Sequence, residues 1–99
     1  MAVRALIDII AILRLERPRL ERDFAVNELG VFGSVVRGEA VKTSDIDILV
    51  DYAQPPTLFE FVRLQRYLSE LLGSPVDLVM KSALKPHIGQ QVLSELIPI

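Results

Sequence analysis

The sequence predicts an α/β fold, a small mixed β-sheet with helices packed mainly on one face, in a single domain over residues 1–99. Three short apolar runs, at residues 26–32, 46–52 and 75–80, are typical of strands. Longer segments with apolar residues at helical spacing flank or separate them, in the order helix, strand, turn, strand, helix, strand, helix. A chain of this length accommodates one core, so one domain is expected.

The first element is a helix predicted over residues 3–16. Its apolar residues fall on most sides, and Arg4 and Asp8, four residues apart, mark one narrow polar stripe. The extra apolar faces require cover from the domain core or from a partner. Pro18 is predicted to end this helix, and residues 20–24 to form a short second helical turn.

A strand over residues 26–32 follows and ends abruptly at Gly33. Ser34 is a favourable N-cap residue, and it therefore predicts a short helix over residues 35–38. A mostly polar connection then leads to the next strand.

The second strand, residues 46–52, alternates between two faces. Its apolar face carries Ile46, Ile48 and Val50, and its other face carries Asp45, Asp47 and Leu49. Two carboxylates therefore project together from a strand that is otherwise apolar.

The clearest helix is predicted over residues 57–72, where Thr57 and Glu60 have the spacing of a capping box. A strand over residues 75–80 follows, with Asp77 facing away from its apolar neighbours. The last predicted helix covers residues 85–96.

Composition excludes several classes of function. The net charge is −2 and the 11 basic residues are scattered, so direct nucleic-acid binding is not expected. Cysteine is absent and histidine occurs once, which excludes thiolate sites and zinc sites with several histidines. The apolar N-terminus is too short and too charged to span a membrane and lacks a cleavage site, so a cytoplasmic location is expected.

Gly33 and Ser34 form a candidate phosphate cradle. Free N–H groups at the start of a helix bind anions, and glycine lets a phosphate approach the backbone. The serine hydroxyl adds a donor. The same dipeptide is also common at strand-to-helix turns that have no functional role, so it predicts little by itself.

Asp45 and Asp47 make the prediction sharper. Like charges that project together repel each other unless a cation lies between them. Hard oxygen ligands beside a phosphate site favour Mg²⁺. The alternative is a solvated strand face, but aspartate is depleted in strands and these two flank Ile46.

Asp77 is the third candidate ligand. If its strand pairs with the strand of Asp47, the three carboxylates share one face and suit a metal-assisted phosphoryl transfer. The alternative is a charge that keeps an edge strand soluble.

These residues together resemble a known signature. Gly33-Ser34, Arg37, Gly38 and the run Ser44-Asp45-Ile46-Asp47 are similar to the motif of the DNA polymerase β-type nucleotidyltransferase superfamily. Nearly the whole chain resembles its smallest branch, the minimal nucleotidyltransferase (MNT) domain.

The resemblance implies roles for these residues. Gly33 and Ser34 would hold the phosphates of ATP, and Arg37 would contact phosphate or a nearby carboxylate. Asp45 and Asp47 would bind Mg²⁺, and Asp77 would complete the metal site and accept the proton of the attacking hydroxyl. A solvated Arg37 is an equally simple interpretation.

The resemblance also implies a partner. MNT proteins of this kind pair with HEPN-domain RNase toxins, to whose tyrosine they transfer AMP from ATP as antitoxins. Two alternatives stay open: an antitoxin that acts chiefly by binding its partner, and a small-molecule adenylyltransferase. The short chain argues against the last, because it leaves no room for an acceptor-binding domain.

Overall fold

The computed structural model describes residues 5–40 and 45–99. Within those residues, helices surround a four-stranded mixed sheet, and the predicted fold class is confirmed. The elements in chain order are α1 (Leu6–Phe24), β1 (Val26–Phe32), α2 (Ser34–Arg37), β2 (Ile46–Tyr52), α3 (Leu58–Leu72), β3 (Val76–Met80), a 3-10 turn (Lys81–Ala83), α4 (Pro86–Glu95) and β4 (Ile97–Pro98).

The sheet has the strand order β3-β2-β1-β4. Strand β1 runs antiparallel to both β2 and β4, whereas β2 and β3 are parallel. The register pairs Ile48 with both Val31 and Leu78, so these three residues lie on one face of the sheet. Asp47 pairs with Asp77 on the opposite face.

The core lies between the first of these faces and helices α1 and α3. The fully buried aliphatic residues of this layer are Ile9, Leu13 and Leu20 from α1, Leu64, Leu68 and Leu72 from α3, and Val31, Ile48 and Val50 from the sheet. The buried residues recur at intervals of four or seven in the helices and of two in β2, so both sets face the same layer.

Pro18 does not end the first helix, contrary to the prediction. Helix α1 continues through it to Phe24 and includes the segment predicted as a separate turn. Proline removes one helical hydrogen bond, but Pro18 is exposed, so water can bind the carbonyl that loses its partner. Leu13 and Leu20, seven residues apart, are both fully buried, and this packing outweighs the local break.

Helix α3 follows its prediction closely. Thr57 Oγ1 accepts from the Glu60 N–H, and Glu60 Oε1 accepts from the Thr57 N–H, which completes the capping box. Gly73 ends the helix in the left-handed conformation that glycine adopts at little cost. Strand β3 and helix α4 are each slightly shorter than the segments predicted for them.

The C-terminal segment, which the sequence did not predict to pair, forms an edge strand of the sheet beside β1. In β4, Ile97 and Pro98 lie opposite Val31 and Gly30 of β1. A Cβ atom on Gly30 would lie 2.6 Å from a methyl carbon of Leu96, so glycine is what lets this segment approach the sheet. Arg17 further holds the segment by donating to the Ile99 carbonyl at 2.8 Å.

Some predictions fall on residues 1–4 and 41–44, outside the described residues. They concern the first residues of helix one, with Arg4, and Ser44 of the motif. Among the residues that are described, no helix is both long and apolar enough to cross a membrane.

Candidate active site

The turn between β1 and α2 is built around Gly33. Its backbone has φ 82° and ψ −153°, a conformation that is essentially restricted to glycine. A Cβ atom there would overlap Oδ2 of Asp47 and lie 2.9 Å from its Cγ. The predicted cradle and the predicted metal ligand Asp47 are therefore in direct contact, and only a glycine allows it.

Ser34 does not cap α2, contrary to the prediction. It is the first residue of the helix, and Gly33 is the N-cap. The unusual backbone of Gly33 makes the turn, so a side-chain cap is not what starts this helix. Ser34 remains partly exposed directly after Gly33, where its hydroxyl is accessible to a ligand.

The parallel pairing of β2 and β3 brings two of the candidate carboxylates together. Asp47 and Asp77 are directly opposite each other in the register, as the strand pairing assumed from the sequence required. Asp45 precedes β2 by one residue and is exposed, and its charge acts on Asp47.

This neighbourhood changes the acidity of Asp47. Burial, followed by the charge of Asp77, raises the pKa of Asp47 from 3.8 to about 6. The charge of Asp45 acts in the same direction, and that of Arg37 opposes it. Negative charge is thus crowded around a partly buried carboxylate, which is the electrostatic situation that a divalent cation relieves.

The donor set fits Mg²⁺ by its chemistry, because aspartate oxygens are the hard ligands that this ion prefers. Within residues 5–40 and 45–99, no group of three or more His, Cys, Asp or Glu side chains is already gathered as a metal site. Asp45, Asp47 and Asp77 as a complete ligand set therefore stay a prediction.

Arg37 lies at the end of α2 and contacts two carboxylates. Its Nε donates to Glu39 at 2.9 Å, and its Nη1 donates to both carboxylate oxygens of Glu95 at 3.0 Å. These hydrogen bonds, with Glu39 first, raise the pKa of Arg37. Of the interpretations offered for Arg37, contact with a nearby carboxylate is the one this geometry matches.

Glu95 was missed by the sequence analysis. Its Oε1 also accepts from the Gly33 N–H at 3.0 Å, so a side chain from the end of α4 reaches the predicted cradle. It is separated from Gly33 by 62 residues, and nothing local marks it. The one available signal was its charge, since an acidic residue is disfavoured at the C-terminal end of a helix.

The chain is similar to known proteins in sequence. Residues 13–99 match the model of the nucleotidyltransferase domain family. The protein adenylyltransferase MntA of the archaeon Thermococcus cleftensis is 50% identical over 97 residues, which cover 98% of each chain.

Two solved structures are similar in fold. A toxin–antitoxin crystal structure with AMP-PNP contains a chain that is 29% identical, with a TM-score of 0.70, covering 85% of this chain and 69% of that one. A complex of a tri-AMPylated HEPN toxin with its MNT antitoxin, from Shewanella oneidensis, contains one that is 26% identical. Its TM-score is 0.65, covering 89% of this chain and 69% of that one.

Proposed function

Because the chain belongs to the nucleotidyltransferase domain family and is a protein adenylyltransferase, we propose that it transfers AMP from ATP to a tyrosine of a HEPN-domain toxin. In this proposal Mg²⁺ assists the transfer, and the modification makes the protein an antitoxin. The observation that carries the proposal is the pairing of Asp47 with Asp77 beside Gly33.

Gly33 and Ser34 bind the phosphates of ATP in this proposal. Their turn offers a backbone N–H, and the serine adds a hydroxyl donor. Arg37 lies one helical turn away and supplies positive charge on the same side. The solved toxin–antitoxin structure with AMP-PNP supports nucleotide binding by this fold.

Asp45, Asp47 and Asp77 would hold Mg²⁺. When bound, this ion would neutralise charge on the transferred adenylyl group and on the pyrophosphate that leaves. Asp77 is exposed, so it can reach an acceptor hydroxyl and take its proton as the tyrosine oxygen attacks the α-phosphorus. One bond forms between that oxygen and the α-phosphorus, the bond to the β-phosphate oxygen breaks, and pyrophosphate leaves.

A protein acceptor is supported by the surface of the molecule. Several large apolar side chains are more than 70% exposed, and binding of a protein acceptor would remove them from water. They are Ile7 and Leu15 on α1, and Leu58 and Phe59 at the start of α3. The similar complex of a tri-AMPylated HEPN toxin with an MNT antitoxin supports a partner of that class.

The test combines the purified protein with its HEPN partner, ATP and Mg²⁺, and follows the partner by intact mass spectrometry. We expect a mass gain of one or more AMP units, located on tyrosine by peptide mapping and abolished by a chelator. Asp47→Asn should slow the gain at least about a hundredfold, since a metal ligand contributes several kcal/mol to the transition state.

Asp51→Asn is the matched control. Asp51 lies on the same strand and face as Asp47, opposite Glu28 and away from Gly33. The substitution removes the same charge from β2, and we expect nearly unchanged transfer. An unmodified partner that is still inhibited by both variants would instead support an antitoxin that acts by binding. The proposal assigns this reaction to the cytoplasm.

A further inference from the structure

The Gly33 N–H, which the proposed function assigns to a phosphate, already has an anionic partner within the chain. Glu95 Oε1 accepts from it at 3.0 Å. Arg37 Nη1 donates to both oxygens of the same carboxylate, also at 3.0 Å. The Glu95 side chain is 19% exposed and that of Arg37 is 42% exposed, so the contact with Gly33 is partly buried whereas the ion pair is open to water. A carboxylate thus binds the two groups that would recognise a phosphate.

The position of Glu95 is unfavourable by local rules. It is the last residue of α4, where the helix macrodipole disfavours negative charge, and the last turn of α4 contains no basic residue. The next residue, Leu96, packs against Gly30 and fixes the end of α4 over β1. The contacts with Gly33 and Arg37 therefore offset an unfavourable charge.

A phosphate must compete with Glu95 for the Gly33 N–H, because a hydrogen bond weakens when the hydrogen is not aimed at its acceptor. The carboxylate would also repel the negative charge of ATP. Glu39, the other partner of Arg37, does not interfere in this way. It is exposed, and in the described part of the chain its carboxylate accepts from Arg37 rather than from Gly33.

Resting on the proposed function, we propose that Glu95 is an internal anion that occupies the phosphate position of the cradle and is displaced when ATP binds. It is a positioning residue: it holds Gly33 and Arg37 in the free protein and sets how tightly the nucleotide binds. Two effects of opposite sign follow. Glu95 stabilises the free fold, and it weakens nucleotide binding.

The experiment measures binding of AMP-PNP with Mg²⁺ by isothermal titration calorimetry in the wild type and in Glu95→Gln. Glutamine keeps the shape of the side chain and removes its charge. We expect Kd to fall by about tenfold, because the nucleotide no longer competes with the charged Glu95. Loss of one charge-assisted hydrogen bond to the competing carboxylate corresponds to about this factor. The Tm of the ligand-free variant should fall, a combination that a purely structural residue would not give.

Steady-state transfer with varied ATP supplies a second readout. The KM for ATP should fall in Glu95→Gln while kcat changes by less than about threefold, because only ground-state competition is removed. Glu95→Asp is the second variant, because it retains the charge but shortens its reach. It should bind AMP-PNP more tightly than wild type and less tightly than Glu95→Gln.

Glu39→Gln is the control, because it removes a carboxylate from Arg37 without touching Gly33. We expect its Kd to change by less than about twofold, as for an exposed ion pair. If the wild type binds AMP-PNP and Glu95→Gln binds it equally or more weakly, the internal-anion inference is wrong and the proposed function stands. If no variant binds AMP-PNP, both are wrong.

Discussion

The two faces of the sheet differ in what they do, although the same strands form both. On the face that packs against α1 and α3, β2 places Ile46, Ile48 and Val50, each at most 2% exposed. On the other face, the same strand places Asp47 against Asp77, where burial and like charge raise the pKa of Asp47 to about 6. Apolar burial on the first face stabilises the fold, and the crowded charge on the second face destabilises it. One strand can contribute to both because its side chains alternate between the faces.

The largest effect on stability is expected on the core face. Ile48→Ala should lower the free energy of unfolding by about 3 kcal/mol, because Ile48 is fully buried and a cavity would remain. Urea denaturation measures this. Activity per folded molecule should stay close to that of the wild type. If the variant lost activity but kept its full stability, the division of roles between the two faces would be contradicted.

Gly33→Ala tests the contact between the cradle and the carboxylates. An alanine would be strained at φ 82° and its Cβ would overlap Asp47 Oδ2. We expect the free energy of unfolding to fall by about 2 kcal/mol because of the backbone conformation. The transfer activity should fall by a larger fraction than the free energy of unfolding does. Gly38→Ala is the control, since Gly38 also has positive φ (73°) but a Cβ there would meet no atom within 4 Å among the described residues. Equal losses of activity in both variants would contradict the role of the Asp47 contact.

The pH dependence of stability should differ between wild type and Asp47→Asn. The pKa of Asp47 is about 6 in the folded protein and 3.8 in its reference state, so the folded state binds the proton more tightly. Stability associated with this group is therefore highest below about pH 4, falls as the pH rises to 6 and stays low above it. After allowance for solvent screening, we expect the free energy of unfolding of Asp47→Asn to rise by about 1 kcal/mol relative to that of the wild type as the pH increases from about 4 to about 6.

Thermal unfolding at about pH 3 to 8 measures that difference, since this window brackets both pKa values of Asp47, 3.8 and about 6. Mg²⁺ added near neutral pH should raise the Tm of the wild type more than that of Asp47→Asn, because the variant lacks one of the proposed ligands. A gain that is independent of pH, or an equal response to Mg²⁺ in both proteins, would show that Asp47 carries no such charge penalty.

The smallest effect is expected at the start of α3. Thr57→Ala removes one side of the capping box and should cost about 1 kcal/mol, without changing the transfer rate. Chemical denaturation with a parallel activity assay checks both. Since α3 lies on the core side of the sheet, a change in nucleotide affinity would show that this helix also affects the face that carries Asp47 and Asp77.

Much of this arrangement could be predicted from the sequence because it depends on local periods. The predicted bounds of β1 and β2 agree with the structure, since each is a short apolar run of the length of a strand. Alternation alone put Asp45 and Asp47 on one face. The position of Asp77 on the face of Asp47 was predicted only on the condition that their strands pair, and the structure meets that condition with a parallel pair.

The errors came from interactions that are distant in sequence. Pro18 breaks a helix by local rules, but the burial of Leu13 and Leu20 against the core keeps α1 continuous. The contact of Glu95 with Gly33 depends on where α4 ends after packing over β1, which no short pattern encodes. Strand β4 has two residues, fewer than any periodicity can reveal.

Strand β4 also affects how its edge of the sheet can meet other chains. A sheet edge with free N–H and C=O groups invites another strand to add to it, which leads to aggregation or to strand-swapped dimers. At the β4 edge two residues pair with β1, and one of them, Pro98, has no N–H that could donate to an added strand. This edge is therefore a poor template for strand addition, and it favours recognition of a partner through side chains over recognition through an extended backbone.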